Sequence, residues 1–397
     1  MQQEDGPKGV VCTREGDRCW YANDRTGEVC EVEMGDEDEQ HMQQQKPATI
    51  SLVQPIDIET GELITFQNIK GVKVYYPLKD SFCIKGILCS SAHDAPILLM
   101  ADNKGSRIIA MDTSSNNAIV LVEWPDDGSL CNTHIEHMTI SYQPYPAIFA
   151  TSYKHVERVS LVTGKSHTVH SYCEKDFNMM QHGLVFEEDR LYVTKGEDGI
   201  DRFPVVDPST GKYVDKVGPY NLHNLPVGAN NDWMDVLVLR SNPSHLVLLD
   251  NAQDEISLYR LTDGHIQSVS TDNTTYQSAH GFTWLNDHSD TLVVASTANN
   301  ELAVMVLYQD DRIPGLNASA NITRVIPLPE GSCPVRINSS SRSKTVPRIL
   351  SLIGAVGITL LIVAFFRKRR MSRKYVKQTP KMEYQDKRKS LPVRQIV

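Results

Sequence analysis

The sequence predicts an all-β body, a closed ring of radially packed antiparallel sheets, followed by one C-terminal membrane-spanning helix. Three observations predict it. A strand–turn–strand unit recurs at intervals of 43 to 55 residues; helix-period stretches are nearly absent before residue 330; and Ile349 to Phe366 form eighteen consecutive uncharged residues.

The recurring unit reads ILLMADNKGSRIIAMD from Ile97, AIFATSYKHVERVSLVTG from Ala147, RLYVTKGEDGIDRFPVVDPSTG from Arg190, HLVLLDNAQDEISLYRLTDG from His245 and TLVVASTANNELAVMVLYQDD from Thr291. Each has an apolar strand, a turn rich in Asn, Asp or Gly, and a second strand. The second residues of the first strands, Leu98, Ile148, Leu191, Leu246 and Leu292, lie 50, 43, 55 and 46 residues apart. Such periods mark propeller blades, because a four-stranded sheet cannot bury both faces alone and radial stacking covers them. Closing turns recur at Thr60-Gly61, Thr163-Gly164, Thr210-Gly211 and Asp263-Gly264, where glycine supplies a positive φ. Ile56 to Ile64, taken with Gly71 to Tyr76, is expected to build a sixth, irregular blade or to close the ring. The expected fold is a six-bladed β-propeller, with five to seven blades compatible with the spacing. A β-sandwich would give no reason for the repeated unit.

At these residues the chain resembles known families. LLMADNKGSRIIAMD is similar to the strand pair of NHL repeats, and LYVTKGEDGIDRFPVVDPSTGKYV to YVTN-type repeats. HGLVFEEDRLYVTK and HGFTWLNDHSDTLVVAS resemble the first two strands of lactonase-like and TolB-like propeller blades. The resemblance covers residues 50–330, matches no one family throughout, and implies architecture only, since such propellers range from enzymes to binding platforms.

Around this body the expected organisation is an acidic, cysteine-containing segment and linker (1–48), the propeller (49–330), a juxtamembrane stalk (331–348), the span (349–366) and a basic tail (367–397). The span would extend roughly 27 Å as a helix, close to the hydrocarbon thickness of a bilayer. Six of the eight residues from Arg367 to Lys374 are basic, against Arg342, Lys344 and Arg348 on the other side, which predicts a cytoplasmic C-terminus. The tail holds twelve Lys or Arg and two Asp or Glu, a net +10, leaving −19 of the whole-chain −9 to residues 1–366. A body this acidic is not a nucleic-acid binder. An outward-facing body needs a signal peptide, and Met1 to Gly6 offers no apolar core for one. The expectation is that a leader precedes these residues, the alternative being a tail-anchored chain with a cytosolic body.

All eight cysteines, Cys12, Cys19, Cys30, Cys83, Cys89, Cys131, Cys173 and Cys333, precede the span, as disulfides in an oxidising compartment require. The spacing alone does not choose their pairing. No C-x-x-C occurs. Sequons at Asn273, Asn317, Asn321 and Asn338 lie on the same side, three of them within 22 residues, as in a glycosylated stalk.

The chain lacks G-x-S-x-G, H-E-x-x-H, P-loop, G-x-G-x-x-G and EF-hand signatures, so no catalytic residue is assigned. His137, His182 and His280 each open the innermost strand of a different unit, and at the central channel three imidazoles would suit a divalent metal such as zinc, whereas Asn230, Asn231 and Asp232 near the same mouth would suit calcium. His134 and His223 are additional candidate ligands, with Glu136 or Asp235 as carboxylate partners. The bland alternative is histidines that cap turns. Asn231, Asp232, Trp233 and Trp284 are candidates for a ligand pocket, the tryptophans otherwise packing between blades. Ser351, Ala355 and Thr359 would line one helix face and suit weak homodimerisation. The tail's basic block would lie on anionic inner-leaflet lipids, and Arg388-Lys389-Ser390 resembles a basic-directed kinase site, making Ser390 a phosphorylation candidate. The expected function is a plasma-membrane or secretory-pathway glycoprotein, single-pass, whose extracellular propeller binds a protein or glycan ligand. The alternative is a membrane-anchored, metal-dependent or lactonase-like hydrolase with its site in the channel.

Overall fold

The computed structural model describes residues 6–35, 48–77, 82–90, 95–125, 134–152, 155–172, 181–271, 278–310 and 317–335. They form one compact unit within Met1–Arg336. No helix among them is long and apolar enough to cross a membrane. The expected span 349–366, the tail with Ser390, and Cys131, Cys173, Asn273 and Asn338 lie outside the described residues, as does the Asn317 side chain.

Six antiparallel sheets follow one another along the chain, each starting at the centre and stepping outward by hairpins. Blade 1 comprises Pro7–Cys12, Arg18–Asn23, Glu28–Glu33 and Thr49–Leu52. Blade 2 comprises Ile69–Tyr75, Ile97–Asp102, Arg107–Asp112 and Asn117–Glu123. Blade 3 runs from Ile135–Ser141 through Ala147–Ser152 and His155–Ser160 to Ser166–Ser171. Blade 4 has Leu184–Glu187, Arg190–Thr194, Ile200–Pro204 and the short Tyr220–Asn221. Blade 5 has Trp233–Val238, His245–Asp250, Glu255–Arg260 and Ile266–Ser268. Blade 6 has Ala279–Trp284, Thr291–Ser296, Glu301–Asp310 and Asn317–Pro327. The first strand of each blade neighbours the first strand of the next, and Ala279–Trp284 meets Pro7–Cys12, so the ring closes. The molecule is a six-bladed β-propeller.

Packing explains why the second strands read as unbroken apolar runs. Side chains alternate between the two faces of a sheet, and here both faces are covered by neighbouring blades. In blade 2, Leu98 and Met100 pack toward blade 1 with Trp20 and Val29, whereas Ile97, Leu99 and Ala101 pack toward blade 3 with Ile148 and Val159. Blade 5 divides in the same way: Leu246 and Leu248 join the blade 4 seam, and Val247 and Leu249 the blade 6 seam. Six apolar clusters result, one per seam.

The structure differs from the sequence expectation at the N-terminus. The cysteine-containing residues 7–33 are not a segment apart from the propeller but the first three strands of blade 1, with Trp20 and Tyr21 each 1% exposed. Ile56–Asp57 is not part of a sixth blade; it adds in parallel to the outer edge of blade 2, and Gly71 to Tyr75 belong to that blade's innermost strand. The unit was hidden by charge: Arg18, Glu28, Glu31 and Glu33 interrupt strands that the Cys12–Cys19 bridge and the seams hold in place.

Closure uses the segment that follows the last strand. Past the last strand the backbone returns along blade 1: the Arg25 guanidinium donates to the Glu330 carbonyl at 2.7 Å and the Leu52 amide to the Pro334 carbonyl at 2.8 Å. The Cys30–Cys333 disulfide links residues 303 apart. Residues 330–334 thus belong to the body, not to a stalk. The Cys83–Cys89 bridge staples a small hairpin.

Where innermost strands meet, glycine is required. A Cβ on Gly281 would overlap the Lys8 carbonyl oxygen and press on the Gly9 Cα, backbone atoms that cannot step aside. Gly281→Ala is expected to destabilise the protein by more than about 2 kcal/mol. Gly218→Ala, facing open space, is expected to stay within about 0.5 kcal/mol of the parent. Urea unfolding of the two variants checks both, and equal midpoints would contradict this account of the ring's centre.

Candidate functional site

Each innermost strand breaks its ladder near its start. The register slips between Pro7 and Val10, Ile69 and Gly71, Ile135 and His137, Trp233 and Asp235, and Ala279 and Gly281. In blade 4 the same place falls at His182-Gly183, whose amides donate to the Thr194 carbonyl at 3.1 Å and the Met234 carbonyl at 2.7 Å. A bulge re-aims the side chain it carries. Repeated six times around one axis, it places Lys8, Lys70, Glu136, His182, Met234 and His280 at equivalent positions around the channel mouth.

The ring is chemically uneven. Asp24, from the second hairpin turn of blade 1, bridges both lysines, with Lys8 Nζ at 3.0 Å and Lys70 Nζ at 2.5 Å. Burial works to raise the Asp24 carboxyl, but the two ammonium groups hold it below its ordinary value. Burial and the charge of Lys8 push Lys70 down, against the pull of Asp24. On the other side, His182 Nδ1 lies 3.6 Å from Glu136 Oε2. Burial works to raise the Glu136 carboxyl, yet the imidazole of His182, with His137 and Lys70 further off, holds it down at about 2. The Gly196 turn, at φ +56°, borders His182 and Asp232: a Cβ there would stand 3.8 Å from His182 Nε2 and 3.0 Å from Asp232 Oδ1.

Below this level, Lys73, His137 and Asp235 line a cavity of about 10 Å³ between the innermost strands. Asp235 Oδ1 accepts the Val236 amide at 2.9 Å and Oδ2 the Phe282 amide at 3.1 Å, tying blade 5 to blade 6. Burial pushes this carboxyl up to about 6, against Lys73 and the two amides. Burial likewise pushes the His137 imidazole down to about 3, against Glu136, so it is neutral at physiological pH.

Of the three expected metal ligands, His182 and His280 hold equivalent positions and His137 does not. It sits one residue further along, where the other blades have Gly9, Gly71, Gly183, Asp235 and Gly281, and a one-residue slip turns a side chain to the opposite face. Glu136 takes the ring position. The numbering contained the signal: Glu136, Met234 and His280 each lie twelve residues before the strand markers Ile148, Leu246 and Leu292. Among the described residues no three His, Cys, Asp or Glu side chains gather as a metal site. His134 Nδ1 lies 3.0 Å from the Asn103 carbonyl oxygen, and His223 is exposed on a loop.

The four pocket candidates also separate. Asn231 and Trp233 line a cavity of about 540 Å³ beside the outer strands of blade 5. Asp232 contributes its backbone, donating to Asp250 Oδ1 at 2.9 Å. Trp284 closes the innermost strand of blade 6, the end opposite to that from which Trp233 opens blade 5; its Nε1 donates to the Val238 carbonyl at 3.2 Å under the Arg240 guanidinium.

This ring, with its bulged channel mouth, belongs architecturally among the six-bladed propellers. No family model and no curated protein matches the chain. Similar solved structures include a streptogramin B lyase, 12% identical over 83% of this chain and 85% of that one, TM-score 0.46. A putative gluconolactonase is 9% identical over 74% and 86%, TM-score 0.49. Regucalcin, a calcium-binding protein of Agrobacterium tumefaciens, is 12% identical over 84% and 95%, TM-score 0.47. The blade count rests on this chain's own sheets and seams.

Glu136 yields a pH-dependent expectation. Its carboxyl ionises near 2 in the folded protein against 4.5 ordinarily, so its contribution is complete above 4.5 and is lost as pH falls from 4.5 toward 2. At neutral pH, Glu136→Gln should cost about 3 kcal/mol of stability. Denaturant titrations across that interval should show the deficit shrinking to nothing; a deficit independent of pH would refute the pairing.

Proposed function

We propose that this chain is a single-pass membrane glycoprotein of the cell surface or secretory pathway whose outward-facing propeller binds a protein or glycan ligand. The observation that carries the reading is the cysteine chemistry. Cys12–Cys19, Cys30–Cys333 and Cys83–Cys89 are bridged, and no cysteine among the described residues is free. Bridges of this kind persist in oxidising compartments. The sequon at Asn321 supports it: the side chain is exposed on the outermost strand of blade 6, where a glycan would project away from the channel. The apolar stretch 349–366 and the basic residues 367–374 would anchor and orient the chain, with the tail on anionic lipids and Ser390 available to a kinase.

The channel mouth supports ligand binding because its six equivalent positions carry different chemistry. Two ammonium groups, one carboxylate, two imidazoles and the thioether of Met234 present an asymmetric surface that favours one orientation of a bound group. A second reading, a channel-centred hydrolase, is favoured by one observation only, that Glu136, His182 and His280 share a level. Metal analysis of the purified protein tests it: stoichiometric metal lost in His182→Ala and His280→Ala would favour the enzyme, and metal-free protein the binding module.

For topology, glycosidase treatment of cell-expressed protein is expected to shift its mass, with a smaller shift in Asn321→Gln. In sealed cells the tail should resist added protease. An unshifted band together with a digested tail would reverse the orientation.

A further inference from the structure

The cavity of about 540 Å³ beside blade 5 has none of the six channel-mouth residues in its lining, and its volume falls in the range of small-molecule sites, roughly 300–1,000 Å³. Asn230, Asn231, Gln253, Glu255, Ser257 and Ser268 supply most of its wall, and no Lys or Arg lines it. Trp233, 2% exposed, forms a rigid side held by its Nε1 donation to the Pro226 carbonyl at 3.0 Å.

Within this wall some groups are committed and others are not. Asp250 accepts Asn231 Nδ2 at 2.7 Å and the amides of Asp232 and Ala252 at 2.9 and 3.0 Å, so its role is to fix the loop and aim Asn231. Ser257 donates to Glu255 Oε1 at 3.0 Å, which holds that carboxylate in place. Gln253 Nε2 donates to the Asn230 backbone carbonyl, while the other Glu255 oxygen, the Asn230 side-chain amide and the Ser268 hydroxyl make no bond to another described side chain or backbone group. The free set therefore mixes acceptors with groups that both give and receive, and it carries one uncommitted carboxylate.

We propose that this cavity binds a neutral polyhydroxylated ligand, a glycan terminus. Adjacent sugar hydroxyls each donate and accept, the complement of a carboxylate oxygen and a hydroxyl on neighbouring strands and the Asn230 amide in the facing turn. The lining offers an anionic ligand no positive charge, and it lacks the open apolar pocket in which a protein partner buries an aromatic anchor. The inference narrows the ligand class of the reading above; it depends on that reading for where such a ligand is met, while the binding itself does not depend on topology.

The test is titration of the full-length protein, in a non-glycosidic detergent, with N-acetylglucosamine, galactose, mannose and lactose, followed by calorimetry and saturation-transfer NMR. At least one sugar is expected to bind, with affinity lowered about tenfold in Glu255→Gln, the loss of one charge-assisted hydrogen bond. Ser268→Trp, at an exposed position, should plug the cavity and abolish binding without unfolding the blade. Absence of binding by all four sugars would overturn the inference. So would binding that survives Ser268→Trp but is lost in His182→Ala, an outcome that moves the ligand to the channel mouth and leaves the proposed function standing. Preferential capture of arginine methyl ester, lost in Glu255→Gln, would mark a cation site instead.

Discussion

Burial of both faces of every sheet is the constraint on which the rest of this structure depends. A lone four-stranded sheet would leave both apolar faces in water, and each methylene so exposed costs about 0.8 kcal/mol. Here the even and odd residues of each second strand enter different seams, as Leu98 and Leu99 or Leu248 and Leu249 show. The demand passes around the ring until blade 6 needs blade 1. Met34, Cys30 and Val32 meet Val293, Leu302 and Ile326 at that seam, and the Cys30–Cys333 bridge ties blade 1 to the segment that follows blade 6.

Closing the ring forces the innermost strands together, which explains both the glycines and the bulges. Gly9, Gly71, Gly183 and Gly281 stand where a neighbour's backbone leaves no room for a Cβ. The bulge just before them turns one side chain per blade toward the channel mouth, so the geometry that permits close packing also builds the polar ring. Burying that much charge is tolerable because it is paired: Asp24 serves Lys8 and Lys70, and Glu136 lies against His182.

The two candidate binding regions differ in kind. The channel mouth is a set of equivalent positions whose chemistry varies from blade to blade, held by backbone geometry common to all of them. The blade 5 cavity exists because one connecting segment, from Leu222 to Asp232, loops beside one blade and is pinned there by Asp250. Its polar groups could be counted only once that loop had a place.

Local sequence determined the repeated strand pairs, the ring architecture and the turns, because strand burial and turn glycines are written in neighbouring residues. It left the first blade unrecognised, although Ala22-Asn23-Asp24 parallels Ala101-Asp102-Asn103, since charged residues interrupt strands whose burial comes from blades 2 and 6. It gave His137 the ring position that Glu136 occupies and named Glu136 only as a carboxylate partner, because a bulge changes register without leaving a mark in composition. Which side chains share the channel, which cysteines pair across 303 residues and where a cavity opens beside blade 5 were decided by tertiary structure alone. Those facts are relations between segments distant in the chain, and only the closing of the ring brings such segments within contact distance.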